Sequence, residues 1–333
     1  MYKIGLYGGT FSPLHIGHVK CIIQASCLCE KLYIVINSSQ NPNEIDIKIR
    51  YRWLYQITKD MPNVNLIILE DKNTSKSSYT TEQAINDTNK ILSIIKSPID
   101  IVFCGSDYDK NSFWNKNYPD SKLYIFKRDE ISSTKIRSNP YLYWDWLPNI
   151  VKPYYVKKIM ICGIESSGKT VLTTNLSKYY NTNYVEESGK LLSEKSGSDE
   201  LMIPDDFTEI LLTQKLNELN AINNSNKILF CDTDALYTLF YLEYFYNDSL
   251  KKNIDLAYAI DQLNTYDLIL LLEPTNNWNQ DGDRKEDIRD NHTKYFNRII
   301  EGLDKSGKKY VRINGEYLER FNKCIEYINE LFK

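Results

Sequence analysis

Tyr2-Lys3-Ile4-Gly5-Leu6-Tyr7-Gly8-Gly9-Thr10-Phe11-Ser12-Pro13-Leu14-His15-Ile16-Gly17-His18 stands at the head of the chain. The first six residues are an apolar run of strand length, a glycine pair breaks the run, and a helical period takes over near Val19. Strand, glycine turn and helix in that order form the entry to a parallel α/β sheet. Gly8 and Gly9 let the backbone pass close to a ligand, and Gly17 removes bulk where the helix opens. The helix start offers free N–H groups and a partial positive charge, which suit phosphate. Two of the chain's three histidines stand here as His-x-Gly-His. Their imidazoles can hydrogen-bond to oxygens on which charge develops as a phosphate is attacked. A pair of solvated loop histidines is the plain alternative, and a zinc site lacks a suitably spaced thiol or carboxylate.

Outward from this stretch the alternation continues. Strand-length runs Lys31 to Ile36, Val64 to Leu69, Ile99 to Cys104 and Leu123 to Phe126 are mostly separated by helical stretches Val19 to Cys29, Arg50 to Lys59 and Thr81 to Ile95. The pattern breaks at Asn139-Pro140-Tyr141-Leu142-Tyr143-Trp144-Asp145-Trp146-Leu147-Pro148 and again at Pro153, because each proline restricts itself and its predecessor. A second α/β pattern then begins with strand Lys158 to Cys162 and helix Lys169 to Tyr180. Strands Tyr184 to Glu186, Ile228 to Cys231, Leu268 to Leu272 and Tyr310 to Ile313 follow, and Tyr317 to Phe332 is a closing helix. A chain of 333 residues has room for about two domains, each with its own core. Their expected extents are 1–150 and 156–333, with no internal repeat or low-complexity tract.

With 41 basic and 44 acidic side chains the net charge is −3. No overall positive field would draw the chain to nucleic acid or an anionic membrane, so phosphate binding must be local. The seven cysteines are scattered through apolar runs without a Cys-x-x-Cys pair, which reads as reduced cytoplasm. Cys27 and Cys29 lack partners for a metal. No basic leader precedes the first strand, and no apolar run reaches the length of a membrane span.

Gly163-Ile164-Glu165-Ser166-Ser167-Gly168-Lys169-Thr170 fits the P-loop pattern, with a strand before it and a helix after it. Backbone N–H groups from Gly163 to Lys169 would cradle a β-phosphate, Lys169 would bridge the β and γ groups, and the Thr170 hydroxyl would ligate Mg²⁺. Cys231-Asp232-Thr233-Asp234 ends an apolar strand, so Asp232 or Asp234 would serve the metal. Glu186 and Glu187 follow the strand after the P-loop helix, and Glu187 is the expected proton acceptor. Gly282, Arg284 and Arg289 lie in a charged stretch that reads either as a lid over the transferring phosphoryl group or as a solvated face. In the first half, Gly105-Ser106-Asp107 follows a strand at the edge where open α/β sheets bind ligands. Asp107 is expected at the substrate or in a turn cap, and Trp114 stacked on a ring of the substrate or in surface packing.

The first half resembles the nucleotidyltransferase superfamily through its glycine turn, its His-x-Gly-His and a second signature, Ile131-Ser132-Ser133-Thr134-Lys135-Ile136-Arg137. The order of the two halves, the junction from Asn139-Pro140 to Pro153, the P-loop and Asp232-Thr233-Asp234 resemble the NadR type of bifunctional NAD-salvage enzyme over nearly all of the chain. The resemblance implies a Rossmann-like nucleotidyltransferase domain followed by a P-loop kinase domain, both α/β. It implies phosphorylation of nicotinamide riboside by ATP, then adenylyl transfer from ATP to nicotinamide mononucleotide with NAD and pyrophosphate as products. ATP and Mg²⁺ are the implied cofactors. His15 and His18 would contact ATP phosphates, with Gly8, Gly9, Thr10 and Phe11 around them and Ser132, Ser133, Thr134 and Arg137 on the far side.

Some members of that family carry an N-terminal repressor domain, whereas this chain begins at the transferase strand, so regulation on DNA is not expected. Ile164 and Thr170 stand where the family often has Gly and Ser, and both suit a working P-loop. Association into a homo-oligomer is left open. Two other readings stay in view: a nucleotidyltransferase with another acceptor fused to another small-molecule kinase, and a nucleotide sensor without turnover.

Overall fold

The structure, a computed structural model, describes residues 1–39, 41–70, 80–105, 116–127, 130–197, 201–274 and 291–333. It divides into two compact units, Met1–Lys152 and Pro153–Lys333. The proline-rich connector therefore closes the first unit instead of lying between the two. Trp144, Leu147 and Val151 from it are buried.

The first unit runs β1 (Tyr2–Gly9), α1 (Ile16–Leu28), β2 (Cys29–Ser38), α2 (Ile47–Thr58), β3 (Val64–Glu70), α3 (Thr81–Ile95), β4 (Ile101–Gly105), β5 (Lys122–Phe126) and α4 (Ser133–Ser138). The strands form a parallel sheet in the order β3-β2-β1-β4-β5. Alternation along β1 sends Ile4 and Leu6 into one apolar cluster with Val35, Val102, Ile91 and Ile95, the last two from α3. The opposite face is tight: a Cβ on Gly5 would stand 2.4 Å from Cys29 Sγ and 2.9 Å from the Phe103 ring.

The second unit runs β6 (Lys157–Gly163), α5 (Lys169–Tyr179), β7 (Tyr184–Val185), α6 (Ser188–Ser196), α7 (Pro204–Ala221), β8 (Ile228–Asp232), α8 (Ala235–Phe245), α9 (Lys251–Leu263), β9 (Leu268–Leu272), α10 (His292–Ser306), β10 (Val311–Ile313) and α11 (Tyr317–Glu330). Its parallel sheet has the order β10-β9-β6-β8-β7. On the central strand β6, Ile159 and Ile161 pack with Leu172, Leu176, Cys324 and Ile328. Met160 and Cys162 pack toward Phe207, Leu236, Phe240 and Ile299. Both faces of the sheet are covered, which explains its nearly continuous apolar strands.

In each sheet the first strand of the unit is central, and the chain reverses its direction of travel across it. Open α/β sheets bind ligands beyond the strand ends at such a switch. No helix among the described residues is long and apolar enough to cross a membrane.

Candidate active sites

The first site is built at the end of β1. His15 precedes α1 with extended backbone, φ −140° and ψ 168°, and its N–H donates to Nδ1 of His18 at 3.3 Å. A ring nitrogen that accepts carries no proton, so neutral His18 keeps its proton on Nε2 and presents a donor there. The two imidazoles stack with centroids 3.7 Å apart, and Phe11 meets the His18 ring edge-on at 5.0 Å. A Cβ on Gly17 would lie 3.0 Å from both Cε1 and Nδ1 of His15. Glycine stands between the histidines because the buried His15 ring occupies that space.

The second signature folds back onto this turn. Ser132 caps α4 by accepting from the Lys135 N–H at 3.2 Å. The Ser133 hydroxyl donates to the Pro13 carbonyl at 3.0 Å, and the Arg137 guanidinium donates to the Ser12 carbonyl and to Thr134 Oγ1, the latter at 3.2 Å. Thr134 and Arg137 are exposed, while Gly8, Gly9, Thr10 and His18 are half-buried. Two motifs lying 125 residues apart at Arg137 and Ser12 thus share one surface bearing hydroxyls, an imidazole donor and a cation. Ser106, Asp107 and Trp114 lie outside the described residues.

The second site is built at the end of β6. Gly163 has φ +152°, and a Cβ there would stand 2.8 Å from the Leu272 carbonyl; Ser166 and Gly168 follow with φ +59° and +87°. These left-handed positions curl the loop so that successive N–H groups converge. Lys169 is buried, with its Nζ donating to the Ile164 carbonyl at 3.2 Å and lying 5.0 Å over the Tyr237 ring.

Asp232, the last residue of β8, is fully buried, and neither of its oxygens has a hydrogen-bond partner among the described residues. Burial pushes its carboxyl upward, against the pull of the Lys169 ammonium and the Thr170 hydroxyl. A desolvated, unsatisfied carboxylate beside a P-loop lysine and threonine fits a Mg²⁺ ligand, because Mg²⁺ takes few protein ligands and completes its shell with phosphate and water.

Asp234 does not share that surface. Its Oδ1 accepts from the Leu236 N–H at 2.9 Å as the cap of α8, and its Oδ2 accepts from Asn264 at 3.2 Å. Both oxygens are thus engaged within the fold, one as a helix cap and one with Asn264. Glu186 is exposed and accepts from the Tyr184 hydroxyl at 3.0 Å, whereas Glu187 is half-buried at the start of α6. Glu187 and Glu165 lie close enough to the buried Tyr237 and Tyr295 to help burial push both phenols upward. Gln214 holds this arrangement, accepting from the Ser188 N–H and donating to the Thr233 carbonyl at 3.3 Å. Gly282, Arg284 and Arg289 lie outside the described residues, and no cluster of three or more metal-type side chains occurs among those described.

Sequence reasoning missed Arg50, Arg320 and Tyr237. Arg50 is buried and donates to the Thr10 carbonyl at 2.5 Å and the Asn37 carbonyl at 2.7 Å. Arg320 is buried and donates to the Ser167 carbonyl at 3.1 Å. Helical period alone does not distinguish a buried arginine from a surface one.

Comparison with known proteins follows the same division. Residues 6–139 match the cytidylyltransferase-like family and residues 158–320 an AAA domain family. The trifunctional NAD biosynthesis/regulator protein NadR of Escherichia coli is 27% identical over 98% of this chain and 83% of its own length. Phosphopantetheine adenylyltransferase of Mycoplasma capricolum is 30% identical, over 33% of this chain and 89% of its own. A solved structure of NadR protein in complex with NR superposes with a TM-score of 0.83 at 21% identity, covering 99% of this chain and 96% of that one. NadR protein in complex with NAD and AMP-PNP gives 0.82 at 22% identity with the same coverage.

Proposed function

We infer, because this chain belongs to the NadR family, that it is a two-site transferase of NAD salvage: the second unit phosphorylates nicotinamide riboside, and the first converts nicotinamide mononucleotide to NAD. The observation that carries this reading is the alignment with NadR over 98% of the chain, in which both phosphate sites are formed from their own elements.

In the kinase site the riboside hydroxyl attacks the γ-phosphorus of ATP and ADP leaves. Lys169 neutralises the transferring phosphate, the loop N–H groups hold the β-phosphate, and Glu187 takes the hydroxyl proton. Asp232 and Thr170 would hold Mg²⁺, which supplies charge neutralisation on the phosphates. Tyr237 and Tyr295 place two buried hydroxyls beside Glu165 and Glu187, suited to the hydroxyls of a riboside.

In the adenylyltransferase site a phosphate oxygen of nicotinamide mononucleotide attacks the α-phosphorus of ATP, and pyrophosphate leaves. Catalysis there is positioning and charge screening without a covalent intermediate. His18 donates from Nε2, and Arg137 with Ser132, Ser133 and Thr134 meets the triphosphate. Both substrates and ATP are cytoplasmic metabolites, and we place the reactions there.

The test is incubation with ATP, Mg²⁺ and nicotinamide riboside, with detection of NAD by mass and of pyrophosphate. Parallel reactions offer phosphopantetheine with ATP and CTP, because the first unit is also related to phosphopantetheine adenylyltransferase. Adenylylation of phosphopantetheine in preference to nicotinamide mononucleotide would overturn the reading, and so would absence of turnover on every acceptor.

A further inference from the structure

We propose that Arg50 and Arg320 are positioning residues for the two phosphate loops, each fixing from behind the direction in which a loop peptide presents its N–H. The proposal rests on the two transfer reactions inferred above. Both side chains are nearly inaccessible, 1% and 5% exposed. Arg320 donates from Nε to the Gly315 carbonyl at 2.6 Å, from Nη1 to the Ser167 carbonyl at 3.1 Å and from Nη2 to the Glu273 carbonyl at 2.9 Å. Arg50 donates from Nε to the Ile45 carbonyl at 2.6 Å and from Nη1 to the Thr10 and Asn37 carbonyls at 2.5 and 2.7 Å. Its Nη2 reaches Ser38 Oγ at 3.4 Å and Glu44 Oε2 at 3.3 Å.

In both units one guanidinium gathers carbonyls from three separate segments, and one of the three belongs to the phosphate loop. Burying a cation is costly, and an apolar side chain would fill the space more cheaply if filling were its purpose. The peptide group supplies another purpose. It is planar and trans, so a carbonyl and the N–H of the next residue point to opposite sides. Holding the Ser167 carbonyl from behind turns the Gly168 N–H toward the mouth of the P-loop. Holding the Thr10 carbonyl does the same for the Phe11 N–H at the glycine turn. Lysine cannot replace the guanidinium, since only a planar fork reaches three carbonyls in fixed directions.

The test compares Arg320→Met, Arg320→Lys, Arg50→Met and Arg50→Lys with the wild type. A non-hydrolysable ATP analogue is titrated by calorimetry, both half-reactions are assayed separately, and each unit's melting is followed. Arg320→Met is expected to weaken analogue binding at one of two sites at least tenfold, to raise the KM for ATP and lower kcat of riboside phosphorylation about a hundredfold. Adenylyl transfer should stay within twofold and the second unit should still melt cooperatively. Arg50→Met should show the mirror image, and each lysine variant should recover less than a tenth of the lost kcat. Binding at both sites within twofold of wild type overturns the proposal. So does loss of activity accompanied by loss of the unit's cooperative melting, which would make the arginine part of the fold alone. If the wild type lacks both half-reactions, the functional reading fails, and the analogue titration still decides the role of the arginines.

Discussion

Replacing Asp232 by Asn should stabilise the second unit while disabling its site. The carboxylate is wholly buried, neither oxygen makes a close, well-directed hydrogen bond, and burial outweighs the attraction of Lys169 and of the nearby Thr170 hydroxyl in pushing its pKa up. Its charged form therefore costs the fold free energy even with the lysine present. An unsatisfied buried polar group costs about 1 to 3 kcal/mol, and more when charged. An amide of the same shape is still a buried polar group but lifts the added cost of the charge, and if that is about 1 to 3 kcal/mol it corresponds, for a unit of this size, to a rise in Tm of about 2 to 12 °C. The sign with pH follows from linkage. The folded-state pKa lies above the unfolded value of about 3.9, so the cost is absent below that value and is acquired as pH rises through the folded pKa. The advantage of Asp232→Asn should be greatest near neutrality and shrink as pH falls toward 4. The assay is scanning calorimetry in chelator, with riboside phosphorylation measured beside it and expected to fall roughly a hundredfold or more. Gly302→Ala identifies the transition to watch, because a Cβ there would stand 2.0 Å from the Phe240 ring and should lower only the second unit's Tm. An Asp232→Asn protein whose second unit melts below wild type at pH 7 would refute the reasoning.

His18→Ala should lose about 2.7 to 4 kcal/mol of transition-state stabilisation, a hundredfold or more in NAD formation from nicotinamide mononucleotide, with riboside phosphorylation unchanged; near wild-type NAD synthesis would end that assignment. Gly17→Ala should displace the His15 ring, which stands 3.0 Å from the new Cβ, and slow adenylyl transfer by about tenfold to a hundredfold with little change in melting. Lys169→Ala should abolish riboside phosphorylation and leave adenylyl transfer intact. Mixing Lys169→Ala with His18→Ala should restore conversion of riboside to NAD if the intermediate diffuses between molecules, and its failure with both half-reactions as expected would indicate transfer within one chain.

The elements that carry the sites were legible because period and punctuation agreed there. Thr81–Ile95 and Leu268–Leu272 are observed with the expected bounds, and β1 and β6 each extend into the glycine that follows. Of the helices covering the second sheet, α5 and α11 on one face were legible, whereas α7 and α8 on the other were not. In α8, Ala235, Leu236, Tyr237, Leu239, Phe240 and Leu242 are all buried, so the helix is apolar around most of its circumference and shows no 3.6-residue stripe. In α7 the exposed Leu212, Leu216 and Leu219 are interleaved with buried Phe207, Ile210 and Leu211, which blurs the face. Asp232 and Asp234 differ by two residues and look alike in sequence. Only the turn at Thr233, with φ +62°, and the presence of Asn264 show which one caps a helix and which one faces the P-loop lysine. Arg50 and Arg320 escape notice for a related reason, since their partners are carbonyls, which any residue supplies.

The central place of β1 has a consequence for the birth of the protein. It pairs with β4 through Gly5 and Ile101, Leu6 and Val102, and Tyr7 and Phe103, so its sheet cannot close until that distant strand exists. The glycine turn leaves the ribosome well before the residue that completes it, since Arg137 must arrive to hold Ser12. The P-loop follows the same schedule on its own unit, waiting for Leu268–Leu272 beside β6 and for Arg320 behind Ser167. Synthesis proceeds at about 5 to 20 residues per second and domains fold as units. The stretch Pro153–Lys333 therefore emerges over on the order of 10 to 40 s after the first unit is whole. Each new molecule should acquire adenylyl transfer first and pass through a brief youth in which it can finish NAD but cannot yet start it.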